Sequence, residues 1–208
     1  MFITFEGVEG CGKTTQVALL AAQLKRRGVA VLETREPGGS PVGPEIRRLL
    51  LAEGRHLGPA TELLLYGAER AEHVAKVIRP ALERGELVVC DRYGDATRAY
   101  QAFGRGLPRD LVEAVHSLAT GGLEPDLTLW ITVPVTASLT RARDRNLKHP
   151  NGEGRFEAEE LAFHERVGAG YAALAAEFPE RIVPVDGEGS SEEVAARVFE
   201  LVERRLGL

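Results

Sequence analysis

The sequence predicts an α/β fold in which helices cover both faces of a five-stranded parallel sheet. Five short apolar runs recur along the 208-residue chain, and helical stretches separate them. Such alternation requires crossover connections, and these join parallel strands. A glycine-rich loop follows the first run, at the sheet edge where open α/β folds bind ligands. The strands are expected at residues 2–5, 29–34, 87–90, 127–133 and 181–185.

The helices are predicted from apolar spacing and from signals at their ends. The first helix repeats its apolar residues at the spacing of one helix face, and Gly28 follows it as a cap. Capping serines and acidic residues stand at the start of the last helix. Pro80 is expected to kink or end the third helix. The expected helices are residues 13–27, 42–53, 60–84, 108–120, 136–145, 157–177 and 190–206.

Length and composition favour a single domain spanning residues 1–208. The net charge of −5 argues against a nucleic-acid polymer as partner, because such binding needs an excess of Lys and Arg. Two cysteines without metal-ligand spacing fit a reducing compartment. No secretory leader pattern and no apolar run of about 20 residues is found, so we expect a cytoplasmic protein without membrane contact. Arg outnumbers Lys by 22 to 4, which raises the hypothesis of a thermophilic source, although a GC-rich genome explains it equally well.

Residues 7–14 read G-V-E-G-C-G-K-T, the complete G-x-x-x-x-G-K-[ST] phosphate-binding pattern. Its glycines permit backbone bends that aim N–H groups and a helix N-terminus at phosphate oxygens. Lys13 adds a charge near the β- and γ-phosphates, and the Thr14 hydroxyl can ligate Mg²⁺. The loop and its flanking strand and helix predict a P-loop NTPase fold. The expected triphosphate-binding residues are Gly7, Val8, Glu9, Gly10, Cys11, Gly12, Lys13, Thr14 and Thr15.

Charged residues follow the second and third predicted strands at the same rim of the sheet. Arg35 and Glu36 follow the second strand, and Asp91 and Arg92 follow the third. Arg35 and Arg92 are candidates for a second phosphate, because the donors of an Arg fork match phosphate oxygens. Asp91 is a candidate for holding Mg²⁺ or its waters. The rim therefore predicts a second phosphorylated ligand beside a metal ion.

Residues 141–155 form a basic segment in an acidic chain, with five Lys or Arg against two Asp or Glu. We expect this segment to be a short mobile lid whose glycines let it close over nucleotides. Its arginines can meet the charge that develops on a transferring phosphoryl group. Arg145 is the leading candidate for this role, with Arg143 and Arg155 in support.

Nine short blocks occur in order along the chain. They are E-G-V-E-G-C-G-K-T-T-Q from Glu6, T-R-E-P-G-G from Thr34, L-L-Y-G-A-E-R from Leu64, D-R-Y from Asp91, A-Y-Q from Ala99, G-R-G-L from Gly104, P-D-L-T-L from Pro125, R-F-E from Arg155 and G-Y from Gly170. Together they resemble the bacterial type of thymidylate kinase. The resemblance implies transfer of the γ-phosphoryl group of ATP to dTMP with Mg²⁺, giving dTDP, by a homodimer with a mobile lid.

The resemblance also implies roles for individual residues. Tyr66 would stack on the thymine ring and Arg70 would donate to its base edge, and their i, i+4 spacing independently places them on one helix face. Arg92 would grip the dTMP phosphate, and Tyr100 would disfavour a ribose 2′-hydroxyl. Glu9 matches an acidic residue near the reacting phosphates. Further contacts are implied for Glu36, Thr97 and Gln101 with dTMP and for Arg141 with ATP.

Four positions depart from the family's pattern. Ala96 stands where Ser is frequent, Phe103 where Gly is common, and Gly154 where Asp is common. Some thymidylate kinases carry an Arg in the phosphate loop at the position of Gly10. A glycine offers no cation, so we expect the catalytic arginine to come from the lid.

Two other functions stay open at this level. A deoxyribonucleoside kinase has the same architecture but would not need a cation such as Arg92 for a monophosphate. A nucleotide-switch ATPase or GTPase would report its state to a partner. The chain lacks an N-K-x-D-like guanine-reading motif, and a switch would have no use for the blocks assigned to the acceptor.

Overall fold

The computed structural model describes residues 1–148 and 153–207. Its five strands are all parallel, in the order β2-β3-β1-β4-β5. Helices flank the sheet, which confirms the predicted α/β fold. Because β1 is central, its carboxyl end and that of its neighbour β3 open onto the same edge. The strands are β1 Phe2–Glu6, β2 Val31–Arg35, β3 Leu87–Asp91, β4 Leu127–Thr132 and β5 Ile182–Asp186.

Nine α-helices are found in the described ranges, and two π-helical segments extend them. Val74–Ile78 joins α3 to α4, and Arg98–Gly104 continues α5. In the described parts of the chain, no helix has the length and apolar character needed to cross a membrane. The helices are α1 Lys13–Arg26, α2 Gly43–Leu51, α3 Pro59–His73, α4 Arg79–Glu83, α5 Gly94–Thr97, α6 Arg109–Thr120, α7 Val135–Lys148, α8 Leu161–Glu177 and α9 Ser191–Leu206.

Alternating side chains of β1 enter two different cores. Ile3 and Phe5 belong to the larger cluster, which includes side chains of α1, α8 and α9. Phe2 points to the other face and packs in a smaller cluster with Val74 and Ile78. This alternation follows from the two-residue period of a strand. Both faces of the central strand are therefore buried, and its functional groups lie at the carboxyl end.

The sequence missed one helical element, the segment 94–104 formed by α5 and the π-helical residues after it. Glycines stand at both ends, and the polar Asp95, Thr97 and Gln101 interrupt any apolar face. These polar side chains are buried because they make hydrogen bonds with other elements. The segment carries three of the residues that were predicted to contact the substrate.

The predicted helix at 136–145 and the expected lid at 141–155 overlap, and the overlapping residues are helical. Arg141, Arg143 and Arg145 lie on α7, which spans Val135–Lys148, so the first half of the expected lid is a regular helix. Residues 149–152 lie outside the described part of the chain. Residues 153–160, here called the return segment, pack against α2: Glu153 pairs with Arg47, and the backbone N–H of Arg155 donates to the carbonyl of Leu51 at 3.4 Å. Movement of the lid stays a prediction.

Candidate active site

A cavity of about 620 Å³ lies at the carboxyl ends of β1, β2 and β3. Most of the predicted site residues line it, although they come from separate parts of the chain. Gly7, Val8, Cys11, Arg143 and Arg155 are predicted site residues that do not line it. The predicted residues on its wall are Glu9, Gly10, Gly12, Lys13, Thr14, Thr15, Arg35, Glu36, Tyr66, Arg70, Asp91, Arg92, Thr97, Tyr100, Gln101, Arg141 and Arg145.

The phosphate loop links β1 to α1 in the expected geometry. Gly10 has a φ of 78°, and a Cβ there would come within 2.1 Å of the carbonyl oxygen of Ser138. The loop is therefore packed against α7 at a point where only glycine fits. The Ser138 hydroxyl strengthens this contact by donating to the Glu9 carbonyl at 2.6 Å. The Lys13 ammonium folds back to the carbonyls of Gly7 and Val8, at 3.0 and 2.8 Å.

Thr14 and Asp91, the two residues predicted to hold a metal ion, are in direct contact. The Thr14 hydroxyl donates to a carboxylate oxygen of Asp91 at 2.5 Å, although 77 residues separate them. A hydroxyl and a carboxylate are hard oxygen ligands of the kind that Mg²⁺ accepts, with phosphate oxygens and waters completing the shell. Thr14 is in the first turn of α1, next to the phosphate loop, and Asp91 is the last residue of β3. These residues fit a magnesium ion that accompanies a nucleoside triphosphate.

Arg92 stands between the phosphate loop and the helical segment 94–104. Among the described residues other than glycine, it alone has a positive φ, at 71°. Its guanidinium donates to a Glu9 carboxylate oxygen at 3.0 Å and to the Tyr100 hydroxyl at 3.2 Å. The Tyr100 hydroxyl in turn donates to Glu9 at 2.6 Å. A strained backbone thus places a half-buried cation on the wall of the cavity.

Electrostatics explain why Glu9 stays ionised. Burial raises the pKa of a carboxyl group, but the nearby charge of Arg92 and the imidazole of His164, whose Nδ1 lies 3.6 Å from a Glu9 oxygen, lower the pKa of Glu9 to about 2. The pKa of Arg92 is raised well above its ordinary value, because the Tyr100 and Glu9 groups outweigh the effect of burial. The two side chains therefore form an ion pair at neutral pH.

The base-recognition residues predicted on α3 face the cavity together. Arg70 is buried, and its guanidinium donates to Glu36 at 2.8 Å and to the Thr97 hydroxyl at 2.9 Å. Burial would raise the pKa of Glu36, but Arg70 and His73 lower it. Tyr66 lines the same wall one helical turn earlier. Helix spacing had predicted this shared face, whereas the ion pair with Glu36 had no local signal.

Gln101 and Arg155 meet at the buried carboxylate of Glu62. The Gln101 amide donates to it at 2.6 Å, and the Arg155 guanidinium also lies at 2.6 Å. A second hydrogen bond joins Arg155 to the carbonyl of Leu50. Arg155 was expected to support catalysis from the lid. The structure instead places its guanidinium in a buried ion pair beneath the cavity wall.

The three arginines of α7 lie on different faces of the helix. Arg141 and Arg145 are four residues apart and both line the cavity. Arg143 lies on another face, where its guanidinium is 3.4 Å from the Glu157 carbonyl. Arg145 is 55% exposed and lies 2.9 Å from a Glu157 carboxylate oxygen. Arg145 therefore lines the cavity and Arg143 does not, and the catalytic role of Arg145 stays a prediction.

Several residues of the site were not predicted. Arg47 of α2 lines the cavity and donates to the Pro37 carbonyl at 2.8 Å. Phe156 and Glu157 of the return segment form part of the wall. A smaller cavity beside the loop joins Arg141 to the start of α9. None of these had a spacing signal, because long-range packing brings them to the site. The smaller cavity is lined by Cys11, Gly12, Thr15, Gln16, Arg141, Gly187, Gly189, Ser190, Ser191 and Val194.

Comparison with known proteins identifies the family. A family profile described as thymidylate kinase matches residues 5–198. The thymidylate kinase of Trichlorobacter lovleyi is 53% identical over 211 residues, covering 100% of this chain and 99% of that protein. That of Synechococcus sp. (strain JA-2-3B'a(2-13)) is 53% identical over 208 residues, covering 100% and 97%. The crystal structure of thymidylate kinase from Ehrlichia chaffeensis superposes with a TM-score of 0.78 at 32% identity, covering 97% and 98% of the two chains. The chain belongs to the thymidylate kinase family.

Proposed function

We propose that this protein transfers the γ-phosphoryl group of ATP to dTMP, giving dTDP, with Mg²⁺ as the metal ion. The observation that carries the proposal is one continuous cavity with a phosphate loop on one wall and Tyr66, Arg70 and Arg92 on the other. A phosphate loop alone fits many nucleotide enzymes. A second wall with an aromatic ring, a buried fork of donors and a phosphate-binding cation fits a nucleoside monophosphate as acceptor.

On the donor side, the loop N–H groups and Lys13 hold the β- and γ-phosphates. Lys13 must leave the carbonyls of Gly7 and Val8 to do so, which exchanges two backbone hydrogen bonds for phosphate oxygens. Thr14 and Asp91 would hold Mg²⁺, which supplies charge neutralisation on the phosphates. Arg141 lines both cavities, and the smaller one is open beside the phosphate loop. We therefore place the base of ATP there.

On the acceptor side, each residue has a separate task. Tyr66 stacks on the pyrimidine ring, and Arg70, already oriented by Glu36 and Thr97, donates to its edge. Arg92 binds the monophosphate and can remain paired with Glu9 through its second nitrogen. Phosphoryl transfer then depends on holding the two phosphates in line and neutralising their charge. Arg145 supplies the cation that the loop lacks at Gly10.

The test is a coupled assay of ADP release with dTMP, dUMP, dCMP, dGMP and UMP as acceptors. We expect dTMP to be the preferred acceptor, and thymidine to be inactive because it brings no phosphate to Arg92. Faster turnover of thymidine than of dTMP would favour a deoxyribonucleoside kinase. Equal ATP hydrolysis with and without dTMP would favour a nucleotide switch. The family membership argues against both alternatives.

We also propose a homodimer that forms through α3 and α6. These helices pack together so closely that a Cβ on Gly67 would lie 2.6 Å from the Val115 side chain. Their outer faces expose Leu64 at 61%, Leu111 at 44% and Leu118 at 87%. Large exposed leucines clustered on paired helices favour an isologous interface.

Light scattering with size-exclusion chromatography tests this interface. The wild type should have the mass of two chains, and Leu118→Glu should shift the mass toward one chain. Leu147→Glu is the matched control, because Leu147 is 81% exposed but lies near the end of α7. A dimer that survives Leu118→Glu, or a monomeric wild type, contradicts the proposed interface.

A cytoplasmic location and a thermophilic source are the broader parts of the proposal. Both cysteines are free and buried, which suits a reducing compartment. The arginine-rich composition and several arginine-centred networks suit high temperature, such as the one in which Arg98 meets Asp95, Glu113 and Glu124. A melting temperature within the range of about 45–65 °C that is typical of mesophile domains would contradict the thermophilic source.

A further inference from the structure

We propose that Glu6, at the carboxyl end of β1, is a positioning residue that holds Arg92 in place for the acceptor phosphate. The role of Arg92 in binding that phosphate belongs to the proposed function, and the inference rests on it. Glu6 is fully buried and lies outside the ligand cavity. A buried carboxylate at the end of a central strand is costly unless its oxygens are used. Both oxygens of Glu6 are engaged around Arg92.

The first oxygen holds the backbone that follows Arg92. It accepts hydrogen bonds from the N–H groups of Tyr93 at 2.8 Å and Ala96 at 3.1 Å. Arg92 itself has a φ of 71°, a conformation that non-glycine residues rarely adopt. Its own N–H is fixed to the Phe5 carbonyl at 3.0 Å. Hydrogen bonds on both sides thus hold the strained residue to the end of β1.

The second oxygen holds the side chain of Arg92 through Tyr171. The Tyr171 hydroxyl donates to Glu6 at 2.8 Å, so its oxygen is left to accept from the Arg92 guanidinium at 3.3 Å. The direction of donation along this chain is fixed, because an Arg guanidinium can only donate. The ionised carboxylate of Glu6 therefore accepts at both of its oxygens.

This requirement distinguishes Glu6 from its isostere Gln. An amide has one acceptor oxygen, and its NH₂ group can only donate. In Glu6→Gln the NH₂ group of the amide, itself a donor, must face another donor. That donor is either the backbone N–H groups of Tyr93 and Ala96 or the Tyr171 hydroxyl. The substitution keeps the volume and shape of the side chain but breaks one of the two sets of hydrogen bonds that position Arg92. Glu6→Gln therefore tests the positioning of Arg92 with little change in packing.

The test is a double-mutant cycle on the KM for dTMP, measured at pH 8, where the Glu6 carboxyl group is largely ionised. Glu6→Gln should raise this KM by about tenfold or more, the size of a lost hydrogen bond to a charged group, with the KM for ATP unchanged. Tyr171→Phe should raise the KM for dTMP less, because the hydrogen bonds from the backbone N–H groups of Tyr93 and Ala96 to Glu6 remain. In an Arg92→Ala background, Glu6→Gln should change the dTMP KM by less than about twofold, because its effect acts through Arg92.

Asp95→Asn is the matched control. Asp95 is also a buried carboxylate of this region, but it pairs with Arg181 and Arg98 and does not touch Arg92. We expect a lower melting temperature and an unchanged KM for dTMP. Effects of Glu6→Gln and Arg92→Ala that simply multiply, or an unchanged KM in both Glu6→Gln and Tyr171→Phe, overturn the role of Glu6. A wild-type enzyme that does not turn over dTMP contradicts the proposed function instead.

Discussion

On the donor side of the cavity, the proposed phosphate-binding groups lie close together in the sequence, within residues 9–15. The proposed acceptor groups come from β2, α3, the residues that follow β2 and β3, and the segment 94–104. We assign the donor phosphates mainly to backbone N–H groups and one lysine, and the acceptor to side chains whose partners are far away in the sequence. Arg70 and Glu36 are 34 residues apart, and Arg92 and Glu9 are 83 apart.

The difference shows how each side is kept ready for its ligand. A phosphate loop needs little support, because its shape follows from its own glycines and from the start of a helix. A buried arginine needs a partner for every donor, since an unpaired buried charge is strongly destabilising. The acceptor side is therefore a preorganised network. Loss of a donor residue should affect catalysis alone, and loss of an acceptor residue should affect binding, catalysis and stability together.

Lys13→Ala should produce the largest effect and should be confined to the donor side. We expect phosphoryl transfer to be abolished, because Lys13 serves the donor phosphates. Binding of dTMP, measured by calorimetry without ATP, should be nearly unchanged, because Lys13 makes no contact with Tyr66, Arg70 or Arg92. A strongly reduced affinity for dTMP would show that the two sides are not separate.

Arg145→Ala should lower kcat by roughly 10³-fold or more, the contribution of an arginine supplied to a phosphoryl-transfer transition state. The KM for dTMP should change much less, the pattern of an interaction made mainly in the transition state. The loop cannot supply this cation itself, because a side chain on Gly10 would collide with Ser138 of α7.

Arg143→Ala is the matched control for this prediction. It removes the same charge from the same helix, but Arg143 faces the return segment instead of the cavity. We expect its kcat to stay close to that of the wild type. A kcat for Arg145→Ala within about threefold of wild type would rule out Arg145 as the catalytic arginine.

Two substitutions at Tyr100 separate the contribution of its ring from that of its hydroxyl. Tyr100→Ala should raise turnover of ribonucleoside monophosphates relative to dTMP, because loss of the ring opens space for a 2′-hydroxyl. Tyr100→Phe should keep the selectivity for deoxyribose but lower kcat/KM, since the hydroxyl bonds both Glu9 and Arg92. Unchanged selectivity in Tyr100→Ala would show that the ring does not contact the sugar.

The contrast between the local donor side and the long-range acceptor side also explains how much of the molecule could be predicted from its sequence. The five parallel strands and the phosphate loop follow from local patterns, and Tyr66 and Arg70 share a face because helix geometry requires it. The helix at 94–104 was missed because its buried residues are polar, and their partners lie on other elements. The role of Arg155 was misplaced for the same reason, because Glu62 has no mark in the sequence that identifies it as the partner. Short motifs can therefore be predicted from this sequence, whereas long-range ion pairs cannot.

The smallest expected effect is a pH dependence of the free energy of unfolding that comes from the ionisation of Glu6. Burial, with a further contribution from the charge of Asp95, raises the pKa of Glu6 from 4.5 to about 7. Between these values the folded protein holds a proton that the unfolded chain has released, so stability falls as pH rises from about 4.5 to 7. Glu9 does not contribute in this range, because its pKa of about 2 makes its stabilisation disappear only at lower pH.

Glu6→Gln isolates this contribution, because it removes the titrating group and keeps its shape. Denaturant unfolding at pH 5 and pH 8 should show a loss of stability in the wild type that exceeds the loss in the variant. The shift of the pKa corresponds to a difference of about 3 kcal/mol between the two proteins. All other titratable groups are common to both proteins and cancel in the comparison. Equal pH dependence of the two proteins would show that Glu6 ionises normally, which would mean that its hydrogen bonds to Tyr93, Ala96 and Tyr171 outweigh its burial.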